Sequence, residues 1–162
     1  MSSNVRVGWG MDVHRLGGEP PLLLGGVVVD DRRGVEATSD GDVAAHAVTD
    51  AVLGAARLGD LGEHFPSDDP RWVGADSLDL LREAVRMAAD VGVRPQFVDV
   101  TVIAQDVRIA PHREAIAAGL AEATGIPAAA VSVKATTTDR LGPLGQGEGI
   151  AVVAVVTVTV AS

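Results

Sequence analysis

A chain of 162 residues, 47% of them hydrophobic, is the size of one domain and has enough Val, Ala and Leu to build a core, which argues against disorder over its length. A net charge of −9, with two Trp, two Phe and no Tyr, argues against a basic, base-stacking nucleic-acid surface. With no cysteine, disulfides, thiolate nucleophiles and Cys-based zinc sites are excluded, so a zinc here needs His and carboxylate ligands.

The N-terminal stub Met1–Asn4 is short and polar, unlike a signal or transit peptide, and the longest apolar run, Ile150–Val160, is too short to span a bilayer. A cytoplasmic protein with no membrane partner is expected. Val5–His14 alternates like a strand, and Leu22–Leu24 and Val27–Val29 flank Gly25-Gly26, a hairpin signal. Arg32–Asp42 reads as a polar loop. Asp42–Leu58 is a helix, with Asp42 as its cap and Val43, Ala47, Val48, Ala51 and Val52 at helical spacing. Gly59–Pro70 is rich in turn residues. Ser77–Val91 is an amphipathic helix stopped by Gly92, with Leu78, Leu81, Val85 and Ala88 on one face. Phe97–Ala104 is a strand, Pro111–Thr124 a helix ended by Gly125, and Val131–Thr137 and Gly149–Val160 are strands joined by a Gly-rich segment. This order predicts a single α/β (α+β) domain over residues 1–162, a two-layer sandwich with a mixed four-stranded sheet and helices on one face. The last strand is apolar at both parities, so the uncovered sheet face predicts self-association.

Four segments can carry chemistry. Asp12 and His14 lie two apart on a strand and so point to one side; with His46 on the first helix they form a three-ligand set with an open fourth position, the pattern of a catalytic zinc. Residue spacing leaves His46 open as either a ligand or a helix-surface residue, and offers Asp42 or Asp50 to orient it. In Ser132–Asp139, Val131, Val133 and Ala135 face the core while Ser132, Lys134 and Thr136 face away; the hydroxyls suit phosphate oxygens and Asp139 a divalent cation, though a Thr-rich strand is also ordinary. Lys134 is the only lysine among thirteen basic residues. Leu141–Gly149 precedes a strand instead of opening a helix, so it is neither a dinucleotide fingerprint nor a P-loop, and a flexible turn accounts for it. Ser39–Asp42 sits at a helix start, either as a plain cap or as an anion site. His64 reads as a solvated loop residue and His112 as a helix-start residue.

Taken together, these segments resemble the 2-C-methyl-D-erythritol 2,4-cyclodiphosphate synthases from Arg6 to Val158. The resemblance rests on GMDVHRL at Gly10–Leu16, SDGDVAAHAVTDAVLGAA at Ser39–Ala56, LGDLG at Leu58–Gly62 and GADS at Gly74–Ser77. It continues in VDVTVIAQ at Val98–Gln105, VSVKATTT at Val131–Thr138 and GQGEGIA at Gly145–Ala151. It implies a homotrimer with active sites at subunit interfaces, each with Zn²⁺ and a second divalent ion, Mg²⁺ or Mn²⁺. It implies a lyase of isoprene biosynthesis that cyclises a CDP-linked methylerythritol 2-phosphate, releasing CMP. By motif, Asp12, His14 and His46 are the zinc ligands and Asp139 holds the second cation, where the family has Glu. Asp60 and Gly62 match ribose contacts, and Ala104–Ala110, with Ala104 and Arg108, the cytosine loop. Thr136 and Thr137 match phosphate contacts; Thr38, Ser39 and Lys134 complete the substrate set, and Thr137 belongs to the catalytic group. The chain departs from the family at Ala37-Thr38, where Gly-His is usual, and at Ser67, usually acidic. It departs again at Pro143 and Gln146, usually Phe and Arg, and at Asp106-Val107-Arg108, usually Ala-Pro-Lys. Gln146 argues against an isoprenoid diphosphate in the trimer channel. The altered sugar-phosphate end leaves two alternatives: the same CMP-releasing chemistry on another cytidylyl-linked phosphate or phosphonate, or a non-catalytic metal- and nucleotide-binding trimer.

Overall fold

The computed structural model describes residues 4–161; Met1–Ser3 of the N-terminal stub and Ser162 lie outside the described residues. In chain order the strands are β1 (Asn4–Gly18), β2 (Leu22–Leu24), β3 (Val27–Asp30), β4 (Gly34–Val35), β5 (Val93–Ile103), β6 (Val131–Thr136) and β7 (Gly149–Val160). The helices are α1 (Val43–Ala56), α2 (Leu61–His64), α3 (Ser77–Asp90), α4 (Arg113–Thr124) and α5 (Gly142–Gly145). Short 3₁₀ turns occupy Pro70–Trp72, Ala110–His112 and Ala128–Ala130.

The main sheet is mixed, as expected, but has five strands instead of four, in the order β4-β1-β7-β5-β6; β2 and β3 form a separate hairpin. The fifth strand is β4, two residues inside the segment read as a polar loop, pairing through Leu16↔Val35 and Gly18↔Gly34. β1 runs antiparallel to β7 from Asn4↔Val160 to Arg15↔Gly149, β7 runs antiparallel to β5, and β5 and β6 are parallel. β5 begins at Val93, four residues before the sequence reading placed it. Pro95 cannot donate to a ladder, and the register shift between Pro95 and Phe97 accommodates it.

α1, α3 and α4 cover one face of the sheet. α1 lies on β1 and β7 and is buried on nearly every side, which is why its apolar residues form no narrow stripe. Gly8 and Gly10 of β1 permit this contact: a Cβ on Gly8 would come within 1.8 Å of the Ala51 carbonyl oxygen, and one on Gly10 within 2.0 Å of that of Ala47. Gly8, Gly10, Asp12 and His14 alternate with Val7, Trp9, Met11 and Val13, so one parity faces α1 and the other faces outward. Val7 is 63% exposed and Trp9 60% exposed on that uncovered face.

Asp42 caps α1 by accepting from Ala45 N–H at 3.0 Å. The same carboxylate accepts from Gly25 N–H at 2.9 Å and Gly26 N–H at 2.7 Å, in a turn that needs φ of +57° and +75°. The hairpin and the helix are therefore joined through one fully buried side chain. Burial pushes the Asp42 carboxyl above its ordinary value, opposed by the three N–H donors. Among the described residues no helix is long and apolar enough to cross a membrane.

Candidate metal centre and adjoining grooves

β1 places Asp12 and His14 on its helix-covered face, and α1 brings His46 against them. Asp12 Oδ2 lies 2.9 Å from His14 Nε2 and 3.0 Å from His46 Nδ1, and the imidazole centroids are 5.5 Å apart. One ligand atom from each residue lies within 4.8 Å of the others, so the three can hold a metal ion. One carboxylate and two imidazoles form a donor set suited to zinc. Burial alone would raise the Asp12 carboxyl, but its hydrogen bonds and charge interactions with the two histidines outweigh this and hold it well below the usual carboxylate range. The hydrogen bond to Asp12 raises His14, against its burial. A cation bound between these groups takes the place of such a proton.

The supports of the two histidines differ. His14 Nδ1 lies 2.9 Å from the Glu36 carbonyl oxygen, which can only accept, so Nδ1 carries the hydrogen and Nε2 faces Asp12. His46 Nε2 lies 2.9 Å from Ser77 Oγ and 3.2 Å from Ser39 Oγ. Behind these, the Ser77 hydroxyl donates to Asp40 Oδ1 and its N–H to Asp40 Oδ2 at 3.1 Å. Neither carboxylate that the spacing offered as an orienting group bonds His46 among the described residues. Asp42 is committed to Gly25, Gly26 and Ala45, and Asp50 accepts from Leu61 N–H at 2.7 Å, tying α1 to α2. Burial raises the Asp50 carboxyl. Ser77 and Asp40 were missed because they lie 37 residues apart and meet only through the tertiary fold. No local pattern signals their pairing.

The triad opens on a cavity of about 280 Å³ whose polar side includes Thr38 and Ser39 and whose apolar side includes Leu61, Phe65, Trp72 and Leu80. Phe65 and Trp72 meet edge to face at 5.1 Å, and among the described residues Trp72 Nε1 is buried without a hydrogen-bond partner. Thr38 and Ser67, two of the positions that depart from the family pattern, touch: Thr38 Oγ1 donates to the Ser67 carbonyl at 3.4 Å. Both line this cavity.

A second groove, of about 220 Å³, brings together Ala104, Arg108, Thr136 and Thr137. Asp139 is exposed next to it, its N–H donating to Thr137 Oγ1 at 3.1 Å. Asp139 and Arg140 hold left-handed backbone, with φ of 54° and 63°, a conformation costing ~1–2 kcal/mol per non-Gly residue. Asp60 caps α2 through Glu63 N–H, and Gly62 is exposed in the same helix. Lys134 stands apart from both grooves and is paired with Asp99 Oδ2 at 2.6 Å. His64 is not a free loop residue, since its Nε2 lies 2.6 Å from the Leu58 carbonyl.

The model of the YgbB family matches residues 5–159. A 2-C-methyl-D-erythritol 2,4-cyclodiphosphate synthase of Shewanella halifaxensis is 54% identical over 152 residues, covering 94% of this chain and 96% of that protein. Among solved structures, the bifunctional IspDF from Campylobacter jejuni superposes with a TM-score of 0.96 at 38% identity. That match covers 99% of this chain and 44% of the longer one. The CDP complex of IspF from Plasmodium falciparum matches with a TM-score of 0.84 at 28% identity over the whole of both chains.

Proposed function

The chain belongs to the YgbB family, and from that premise we propose that it is a 2-C-methyl-D-erythritol 2,4-cyclodiphosphate synthase. It cyclises a CDP-linked methylerythritol 2-phosphate and releases CMP. The observation that carries this reading is the Asp12–His14–His46 cluster opening on a cavity with hydroxyls on one side and apolar walls on the other.

In the reaction an oxygen of the 2-phosphate attacks the β-phosphorus of the diphosphate. The bond from that phosphorus to the oxygen bridging it to CMP breaks, and CMP leaves with the electron pair. Zinc at the triad, when bound, polarises a phosphoryl oxygen and offsets the charge of the two anions. Asp12, His14 and His46 hold that ion, and Asp139 holds a second divalent cation, Mg²⁺ or Mn²⁺. Thr136 and Thr137 donate hydroxyl hydrogens to phosphate oxygens, and Thr137 acts with Asp139 in aligning the diphosphate. The Ala104–Ala110 loop, with Ala104 and Arg108 in the second groove, receives cytosine, and Asp60 and Gly62 receive the ribose. Thr38 and Ser39 present hydroxyls to the sugar-phosphate end, while Phe65, Trp72 and Leu80 keep water from its carbon skeleton. No protein nucleophile is needed. Lys134, on the strand bearing Thr136 and paired with Asp99 in the single chain, completes the substrate set.

The active form is a homotrimer with sites between subunits. Support comes from the outward face of β1, where Val5, Val7, Trp9, Met11 and Val13 are all exposed in the single chain. A cytoplasmic location suits a small-molecule substrate of this kind. The test is incubation with zinc, Mg²⁺ and the CDP-linked 2-phosphate, followed by phosphorus NMR. CMP and a cyclic diphosphate are expected at roughly 1 per second. CDP binding without turnover would overturn the substrate assignment and point to another cytidylyl-linked phosphate or phosphonate.

A further inference from the structure

We infer that Ser77 and Asp40 act together as positioning residues, fixing the proton of His46 on Nε2 and leaving Nδ1 bare toward Asp12, where a cation is held. This rests on the metal reading proposed above.

Asp40 is held in place by its own N–H, which donates to the Ala75 carbonyl at 3.0 Å. Its Oδ1 accepts from Asp42 N–H at 3.1 Å and its Oδ2 from Ser77 N–H at 3.1 Å. A carboxylate only accepts, so the single hydroxyl hydrogen of Ser77 is directed to Asp40 Oδ1. Ser77 is fully buried. Its Oγ therefore presents only lone pairs to His46 Nε2, 2.9 Å away. The contact is a hydrogen bond only if Nε2 carries the hydrogen. Ser39 Oγ, at 3.2 Å from the same nitrogen, already accepts from Gly41 N–H and can share the Nε2 hydrogen.

A neutral imidazole has one N–H, so His46 Nδ1 then carries a lone pair, 3.0 Å from Asp12 Oδ2. His14 is oriented to the same end by a different device, the Glu36 carbonyl on its Nδ1. With both rings neutral, three lone pairs thus converge with no hydrogen between them, an arrangement that is repulsive until a proton or a metal cation occupies it. Reversing the Ser77 hydroxyl would put a hydrogen between His46 and Asp12 and leave Asp40 Oδ1 with the Asp42 N–H as its one donor among the described residues.

The experiment uses the full chain labelled with ¹⁵N-histidine, stripped of metal and held at pH 8, with His46 assigned by the loss of its signals in His46→Asn. Nitrogen chemical shifts report the tautomer, and competition against a chromophoric chelator reports zinc affinity. In the unaltered protein His46 is expected as the Nε2–H form. In Ser77→Ala, which keeps the backbone N–H to Asp40 Oδ2, the tautomers are expected to mix and zinc affinity to fall about 10- to 100-fold. A merely structural role would lower the unfolding midpoint and leave the tautomer alone. An Nδ1–H form in the unaltered protein overturns the inference without need of any variant. So does Ser77→Ala with tautomer and zinc affinity both unchanged, and so does a mixed tautomer with undiminished zinc affinity. If the unaltered protein takes up no zinc, the metal reading fails, while the tautomer still decides whether Ser77 and Asp40 set the proton.

Discussion

Asp42 accepts three backbone N–H groups from two separate segments while itself fully buried. Asp42→Ala strands those donors away from water, at a cost of roughly 1–3 kcal/mol each when nothing replaces the acceptor. The expected loss is about 3 kcal/mol or more, read as a shift of the urea midpoint at unchanged slope. His46→Ala addresses the site instead of the scaffold. It is expected to reduce bound zinc to traces by elemental mass spectrometry, and full zinc occupancy in that variant would sink the ligand assignment. At this scale the sequence was readable wherever a local rule applied. Asp12 and His14 share a strand parity, and Asp42 precedes an apolar helix. It was unreadable where partners meet across the fold: Asp42 and Asp50 were each one helical turn from His46, yet the hydroxyls that reach its ring come from Ser77, on another helix, and from Ser39, on the loop before α1.

The contact between α1 and β1 depends on two glycines. Gly10→Ala places a methyl group against the Ala47 carbonyl, and Gly8→Ala another against that of Ala51. Backbone cannot move aside as a side-chain tip can, so each substitution is expected to cost about 3 kcal/mol or more, measurable by thermal or urea unfolding. Asp12 and His14 follow Gly10 on the same strand face, so separating β1 from α1 also separates His46 from its partners. Gly10→Ala is accordingly expected to weaken zinc retention together with stability; loss of stability with zinc retention intact would refute that coupling. Strands and helices longer than about ten residues were legible from periodicity. The β2–β3 hairpin was legible from its Gly-Gly turn and the six-residue β6 from its alternation, but β4, α2 and α5 were not. β4 is two residues stabilised by pairing with β1, and α2 is a four-residue turn fastened by Asp60 and Asp50. The early start of β5 was concealed by Pro95, a residue that argues against a strand until a register shift is seen.

For the whole molecule, the uncovered sheet face leaves a row of large apolar side chains open to solvent in the single chain. Val7 and Trp9 are more than half exposed there, beside Val153 and Val155 of β7. Sedimentation equilibrium is expected to give three times the chain mass. Trp9→Glu is expected to dissociate the trimer while far-UV dichroism is retained, because that side chain takes no part in the α1 contact. A monomer at micromolar concentration in the unaltered protein would overturn the trimer. The apolar last strand is what raises the expectation of self-association in the sequence, whereas the number of subunits comes from the family resemblance alone. β7 has a further consequence for how the chain is made. It follows every other strand of the sheet in sequence, yet it is the middle one, with β1 on one side and β5 on the other. On the ribosome, β1 emerges early and waits through the synthesis of everything else for the neighbour that completes it. The sheet therefore closes after β7 has been translated, and the nascent chain spends that interval with the β7-facing edge of β1, its longest strand, without its partner.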